Sequence, residues 1–265
     1  MITPDFPEAA AHWRRELITR VGDDGERVTV ADLAERFRVM AVSIRRGLRL
    51  LEDAGRLLRV RGGAVAPSAV RVHGVYAQKV RENRDEKGRI GAAAVALVRP
   101  SDVVVFDSGS TVEQVVAHVP ATLRRGNAIT GVTNSAPVIR EISTWSSPQM
   151  VCLGGLYLPD YEALVGPQTI ADLRDLSADL ALIDCDWLTV ETGLTTSHVL
   201  VAEVAATMAS HARRVVVVAD STKLGRRGFT PIVPLSAIHV LVTDDQADPS
   251  QVKRMREMGI EVILA

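Results

Sequence analysis

The 265-residue sequence is poor in aromatic side chains, which make up only 4% of it, so its core has to be built from Val, Leu, Ile and Ala. It contains only two cysteines, Cys152 and Cys185, and both stand in apolar runs, where buried thiols are expected rather than a disulfide. No Cys/His cluster has the spacing of zinc ligands, so no metal site is predicted. No uncharged apolar run reaches about 18 residues, and the first ten residues lack the regions of a secretory signal. By elimination, we expect a cytoplasmic globular protein without a membrane partner.

The net charge of the whole chain is only −1, but the charge is unevenly distributed. Residues 36–61 hold eight arginines against two acidic residues, a local charge of +6 that leaves −7 for the remainder. A basic segment beside a mildly acidic remainder is typical of a nucleic-acid-binding module joined to another domain. A solvated charged face has the same composition, so charge alone leaves both interpretations open.

The order of the predicted elements in the basic segment favours the nucleic-acid interpretation. Thr29, three residues before Asp32, has the spacing of a helix cap. After a short break, residues 41–54 fit a second helix, with apolar residues at helical spacing and arginines on another face. Residues 56–66 read as strand, Gly-Gly turn and strand. Helix, turn, arginine-bearing helix and β-hairpin is the order of a winged helix-turn-helix.

The dimensions of duplex DNA give this arrangement a mechanism. The major groove admits one α-helix, and an arginine can donate two hydrogen bonds to guanine. The strand after the helix can bring further arginines to backbone phosphates. The predicted DNA-binding residues are Ser43, Arg45, Arg46 and Arg49 on the second helix, and Arg59 and Arg61 on the hairpin.

The sequence pattern divides the chain into a DNA-binding domain over 1–66, a linker over 67–84 and a second domain over 85–265. The linker is assigned where the hydrophobic periodicity weakens. In the second domain apolar runs alternate with helical patterns. This predicts a mainly parallel, Rossmann-like α/β sheet with helices on both faces. The predicted strands are 103–106, 128–132, 149–153, 180–183, 215–219, 240–242 and 262–264.

Polar loops, several of them containing glycine, follow several of these strands, and ligands of open parallel sheets bind beyond the carboxyl ends of the strands. Small residues let the backbone approach an anion, and a helix N-terminus offers free N–H groups. Lys223 can neutralise a phosphate, and the carboxylates of Asp107 and Asp220 can accept hydrogen bonds from sugar hydroxyls. Each loop alone also fits a plain turn or helix cap, but their joint occurrence favours a ligand site. The predicted effector-binding residues are Asp107, Ser108, Gly109, Ser110, Thr111, Thr133, Asn134, Gly154, Gly155, Gly193, Asp220 and Lys223.

With these segments in this order, the sequence resembles the DeoR family of transcription regulators over residues 28–244. The resemblance implies a repressor of a sugar-metabolism operon that acts as a homo-oligomer, binds double-stranded operator DNA, and has no catalytic residues or cofactor. It also implies an effector domain similar to sugar-phosphate isomerases, which binds a phosphorylated sugar or a related metabolite. The motifs that carry the resemblance are Ser43-Ile-Arg-Arg46, Val60-Arg-Gly-Gly-Ala64, Asp107-Ser-Gly109, Val132-Thr-Asn-Ser135, Leu153-Gly-Gly155, Gly193-Leu-Thr195, and Ala219-Asp-Ser221 with Lys223.

Several positions depart from the family pattern. Met40 replaces the usual capping Ser and Gly47 the usual Asp, and each change is expected to cost about 1 kcal/mol of helix stability. Ala205 stands where the family commonly has a Lys, which predicts a different mode of ligand binding if that Lys holds phosphate. Asp184 and Asp186 add negative charge that disfavours an anion unless both lie outside the pocket.

Two other functions fit some of these residues. A sugar-phosphate isomerase could use Asp107, Asp179 or Asp220 as a general base and Lys223 as an electrophile. The basic winged helix argues against an enzyme, because catalysis needs no DNA-binding module. A DNA-binding protein whose pocket is vestigial is the other alternative.

Overall fold

The structure, a computed structural model, describes residues 28–53, 57–60, 62–65, 75–126 and 128–265. The chain divides into two compact units, residues 1–77 and 78–265. Each unit has its own hydrophobic core among the described residues, and each is treated separately below.

In the first unit, two helices accompany a small antiparallel sheet. The Thr29 hydroxyl accepts a hydrogen bond from the Asp32 N–H at 3.1 Å and caps the first helix, as predicted. Arg38 ends this helix in the left-handed conformation, which turns the chain toward the second helix. The sheet order is β1-β3-β2. The elements are β1 (Val28–Thr29), α1 (Val30–Phe37), α2 (Ala41–Asp53), β2 (Leu58–Val60) and β3 (Gly63–Val65).

Helix α2 is held by its apolar face. Ile44 and Leu48 are buried and pack with Leu33 of α1 and with Leu57 and Ala64 of the hairpin region. Burying a side chain of this size stabilises the fold by about 1.5–3 kcal/mol. The core therefore fixes which face of α2 points outward.

The second unit contains a seven-stranded parallel sheet in the order β15-β14-β12-β9-β4-β5-β6. Every strand predicted for this domain belongs to it, and each boundary lies within three residues of the predicted one. The central strands are buried on both faces, which explains their continuous runs of apolar residues. The strands are β4 (Val103–Phe106), β5 (Thr130–Thr133), β6 (Gln149–Cys152), β9 (Ala178–Ile183), β12 (Ala212–Val218), β14 (Val240–Thr243) and β15 (Glu261–Leu264).

Helices cover both faces of this sheet, as predicted. Buried residues of α4, α5 and α6 form one core with the sheet, and buried residues of α7, α8 and α9 form the other. The helices are α3 (Val75–Arg81), α4 (Arg84–Val95), α5 (Ser110–Ala117), α6 (Ala136–Ile142), α7 (Pro167–Leu173), α8 (Val199–Ser210) and α9 (Pro249–Glu257). Helix α3 lies within the segment that the sequence analysis interprets as a linker. Among the described residues, no helix is long and apolar enough to cross a bilayer.

Two features of the second unit differ from expectation. Cys185 is buried as predicted, but Cys152 is exposed, because it lies on β6, the last strand of the sheet, most of whose residues are open to solvent. Two small antiparallel sheets, whose strands have two to four residues each, were not predicted. Their strands are β7 (Leu156–Leu158) with β8 (Ala163–Val165), and β10 (Trp187–Thr189) with β11 (Gly193–Thr196) and β13 (Thr230–Pro231).

Candidate DNA-binding and effector sites

Helix α2 presents its arginines to solvent. Arg45, Arg46 and Arg49 are exposed, and Ser43 beside them is half-buried. Met40, which precedes the helix, is 75% exposed, and its thioether cannot cap the first N–H groups as a serine would. The outward face of α2 therefore carries the cations and the hydroxyl that were predicted to contact DNA.

The structure describes one of the two arginines that were predicted on the hairpin after α2. Arg59 is exposed on β2, where its Nη1 lies 3.4 Å from Glu52 Oε2 and its backbone N–H donates to Glu52 Oε1 at 3.1 Å. An exposed ion pair of this kind is worth at most about 1 kcal/mol, so a phosphate can replace Glu52 as the partner of Arg59. Arg61 lies outside the described residues.

Part of the predicted effector set lies at a topological switch point of the sheet, between β4 and β9. From β4 the chain proceeds outward through β5 and β6 on one side, whereas β9, β12, β14 and β15 lie on the other. In open parallel sheets, ligands bind in the crevice bordered by the loops at such a switch point, which here are the loops that follow β4 and β9. Residues 107–111 border this crevice on one side, and residues 184–186 border it on the other.

Buried polar atoms without partners lie on the β4 side. Ser110 Oγ and Thr111 Oγ1, in the first turn of α5, have no hydrogen-bond partner among the described residues, and neither does Asn134 Oδ1 at the end of β5. All three residues are at most 3% exposed. An unsatisfied buried polar group costs about 1–3 kcal/mol, and the first N–H groups of a helix also lack intrahelical acceptors. Together these donors and acceptors suit a bound anion or hydroxyl.

Asp107 begins the same loop and is almost fully buried. Its pKa is raised to about 8, mainly by desolvation and to a smaller extent by the nearby Asp184 charge, while a backbone hydrogen bond from Ser108 opposes the shift. At neutral pH Asp107 is therefore mostly protonated, so that it can donate a hydrogen bond as well as accept one.

Across the crevice, Asp184 and Lys223 form a buried ion pair. Lys223 Nζ donates to Asp184 Oδ1 at 3.0 Å and to the Cys185 carbonyl at 2.7 Å. Burial disfavours the charged lysine, but the charge and hydrogen bond of Asp184, together with the nearby Cys185 and Asp220, outweigh it and hold the Lys223 pKa above its ordinary value. The second oxygen, Asp184 Oδ2, lies so close to Gly109 that a Cβ added there would be 2.1 Å from it. Any larger residue at position 109 is therefore excluded by Asp184.

The turn between α3 and α4 supplies further polar contacts that the sequence analysis did not predict. Asn83 donates to Asp220 Oδ1 at 3.0 Å. Lys87 is 3% exposed and donates to the Glu82 carbonyl at 2.7 Å and to the Lys79 carbonyl. Desolvation, followed by the charge of Lys223, lowers the pKa of Lys87. The ammonium group of Lys87 is therefore close enough to the ion pair to interact with its charges.

One sequence signal points to Lys87. It stands three, four and seven residues before Ile90, Gly91 and Ala94, which are all buried on one face of α4. A lysine in register with a buried face has to find polar partners inside the protein.

Four predicted residues have structural contacts that explain them without a ligand. The Thr133 hydroxyl donates to the Phe106 carbonyl at 2.7 Å, and the Gly154 N–H donates to Asp172 Oδ2 at 3.2 Å. Gly155 and Gly193 lie against neighbouring residues, where an added Cβ would be 2.3 Å from Thr169 Oγ1 and 2.2 Å from the Val233 carbonyl, respectively. Their part in ligand binding remains a prediction.

Asp179 lies away from this crevice, and Ala205 belongs to the apolar core. Asp179 is near the amino end of β9, where it accepts a hydrogen bond from the Val103 N–H at 3.0 Å and pairs with Arg213. Five residues of strand, about 16 Å, separate it from Asp184. Ala205 is fully buried in the core under α8, so a lysine here would displace apolar packing in this chain.

Comparison with known proteins agrees with this two-part arrangement. Residues 14–70 match the DeoR-like helix-turn-helix domain, and residues 82–245 match the DeoR C terminal sensor domain. A helix-turn-helix domain joined to a sensor domain defines a transcription regulator. The chain belongs to the DeoR family of these regulators, which confirms the resemblance noted from its motifs.

Two relatives match along nearly their whole length. The HTH-type transcriptional regulator GlpR of Haloferax volcanii is 33% identical over 96% of this chain and 97% of its own length. The HTH-type transcriptional repressor GlcR of Bacillus subtilis is 27% identical over 90% of each chain. Among solved structures, ribose 5-phosphate isomerase A of Methanocaldococcus jannaschii aligns with 54% of this chain and 55% of its own chain. The identity is 19% and the TM-score is 0.38.

Proposed function

We propose that the chain represses a sugar-metabolism operon: α2 and the hairpin bind operator DNA, and a phosphorylated sugar bound at the switch point controls that binding. Ser110, Thr111 and Asn134 carry the effector part of this proposal, because their buried oxygens have no hydrogen-bond partner within the described part of the chain, and the first two lie at the start of α5. A phosphate accepts hydrogen bonds from hydroxyls and from helix N–H groups, and sugar hydroxyls pair with carboxylates and amides.

The proposed boundaries are a DNA-binding domain over 1–66, a linker over 67–84 and an effector domain over 85–265. The same proposal includes a homo-oligomer, because a two-fold symmetric regulator matches a palindromic operator. The proposal also locates the protein in the cytoplasm, where it can reach its operator DNA.

We also propose that the sensor domain does not turn over its ligand. Asp107 is only 2% exposed and mostly protonated at neutral pH, so a substrate has little access to its ionised form. Lys223 already pairs with Asp184, and Asp179 lies near the other end of the sheet. An assay with pentose and hexose phosphates tests this point, and measurable isomerisation would overturn it.

The experiment that tests the proposal measures DNA binding by fluorescence anisotropy. The full chain is titrated onto labelled duplex from the region upstream of its own gene, with a scrambled duplex as the control. Sugar phosphates and the matching unphosphorylated sugars are then added in parallel. We expect specific binding that one or more phosphorylated sugars change at least tenfold, while their unphosphorylated counterparts have little effect. If no sugar phosphate changes the affinity, the pocket is vestigial for this class of ligand and the effector proposal fails.

A further inference from the structure

The ion pair between Asp184 and Lys223 lies inside the proposed effector site, and its acid has no role in the function proposed above. Asp184 is only 8% exposed. Its Oδ1 accepts from Lys223 Nζ at 3.0 Å and from the Cys185 N–H at 2.7 Å, and its Oδ2 lies against Gly109, the residue that precedes α5. The protein thus places its own carboxylate where the first turn of α5 would receive the anionic group of a ligand.

This placement has an electrostatic consequence. The N-terminus of a helix carries partial positive charge and favours a nearby anion, and Asp184 already supplies one. Lys223, the cation next to it, is also already neutralised. An ammonium group has three N–H donors, and two of them bond to Asp184 and to the Cys185 carbonyl, so one is left for a ligand oxygen. A phosphate that enters the crevice meets a buried negative charge as well as the lysine.

We propose that Asp184 is a resident counter-ion that competes with the anionic group of the effector for Lys223 and for the start of α5, and that it thereby sets how strongly the site favours charged over neutral ligands. The site binds a phosphate monoester only when sugar hydroxyls add enough hydrogen bonds to offset this competition, so it discriminates against free phosphate. The inference rests on the proposed function only in taking the start of α5 as the position of the anion.

The magnitude follows from Coulomb's law. Two unit charges about 5 Å apart, at an effective dielectric constant of about 20, correspond to on the order of a hundredfold in affinity. Partial relaxation of Asp184 reduces this effect. Removing the carboxylate charge is therefore expected to strengthen phosphate binding at least tenfold.

The test uses the full chain and inorganic phosphate as the probe, with affinity measured by isothermal titration calorimetry at pH 7. We expect Asp184→Asn to bind phosphate at least tenfold more tightly than the wild type. Asp179→Asn is the matched control, because it removes one carboxylate from the same strand near the opposite end, and it should leave phosphate affinity within twofold. The double variant Asp184→Asn/Lys223→Gln should lose the gain, because it removes the cation that attracts the phosphate together with the carboxylate that repels it.

If the affinity of Asp184→Asn is unchanged or lower, or if Asp179→Asn gains as much, the proposal is wrong. Asp184→Ser provides a second neutral variant in case the Asn variant does not fold, which a thermal melt shows; the same gain is expected from it. The result is separable from the proposed function, because phosphate affinity is measured without DNA. A gain in Asp184→Asn combined with no sugar-phosphate effect on DNA binding supports this inference and contradicts the proposed regulation.

Discussion

The raised pKa of Asp107 predicts how the free energy of unfolding depends on pH. Its carboxyl group has a pKa of about 8 in the folded protein, against 3.8 for an ordinary aspartate. Between these values the folded state keeps a proton that the unfolded chain releases. The contribution of Asp107 to folding is therefore most favourable below about pH 4, and it is lost progressively as the pH rises to about 8.

The replacement Asp107→Asn tests this directly, because asparagine has nearly the shape of the protonated acid, keeps an oxygen to accept the Ser108 N–H and does not titrate. Each pH unit inside the window is worth up to about 1.4 kcal/mol. From pH 5 to pH 7, the free energy of unfolding of the wild type should therefore fall by about 3 kcal/mol relative to that of the variant.

Urea denaturation of both proteins at pH 5, 6 and 7, followed by circular dichroism, measures this difference. Other groups titrate equally in both proteins, so only the difference between the two curves is interpreted. If both proteins lose stability in parallel over this range, Asp107 is ionised in the folded state, and burial does not raise its pKa as described above.

Three further predictions concern the two sites. Arg45→Ala and Arg46→Ala should each weaken binding to operator DNA by about 1–3 kcal/mol. Neither should lower the melting temperature, because both side chains are exposed. Anisotropy and a thermal melt measure the two effects, and unchanged affinity would contradict the placement of α2 in the groove. Thr111→Val keeps the shape of a fully buried side chain but removes a hydroxyl that has no partner among the described residues. It should weaken the sugar-phosphate response at least tenfold and leave DNA binding intact. An undiminished response would mean that the hydroxyl does not contact the ligand. Gly109→Ala would place a methyl group 2.1 Å from Asp184 Oδ2, so calorimetry should show a melting temperature several degrees lower, and an unchanged value would mean that the loop shifts freely.

Hydrophobic pattern predicted the fold of the second unit well, for a clear physical reason. Strands buried on both faces, such as β9 and β12, need continuous apolar runs, and these runs are visible without any knowledge of tertiary contacts. None of the residues of β7 and β13 is buried, so neither strand leaves such a pattern. The exposure of Cys152 depends on strand order, because β6 is at the edge of the sheet, and strand order is not encoded in the local sequence.

The candidate site was predicted in part. Loops that follow strands were recognisable from composition, so Thr111 and Asn134 were found. The contact of Asn83 was not, because it joins the turn before α4 to Asp220, more than one hundred residues later in the chain. Lys87 was missed although its register with the buried face of α4 is visible in the sequence. Asp184 was noted as an obstacle to an anion, but only the structure pairs it with Lys223.

The most direct test of the account is the affinity of the full chain for its operator, measured by anisotropy with and without a sugar phosphate, in the wild type and in Thr111→Val. We predict tight, sequence-specific binding in both proteins, and a change of at least tenfold on adding the effector in the wild type alone. Binding that no sugar phosphate alters, or an equal response in both proteins, would contradict the claim that the start of α5 holds the effector.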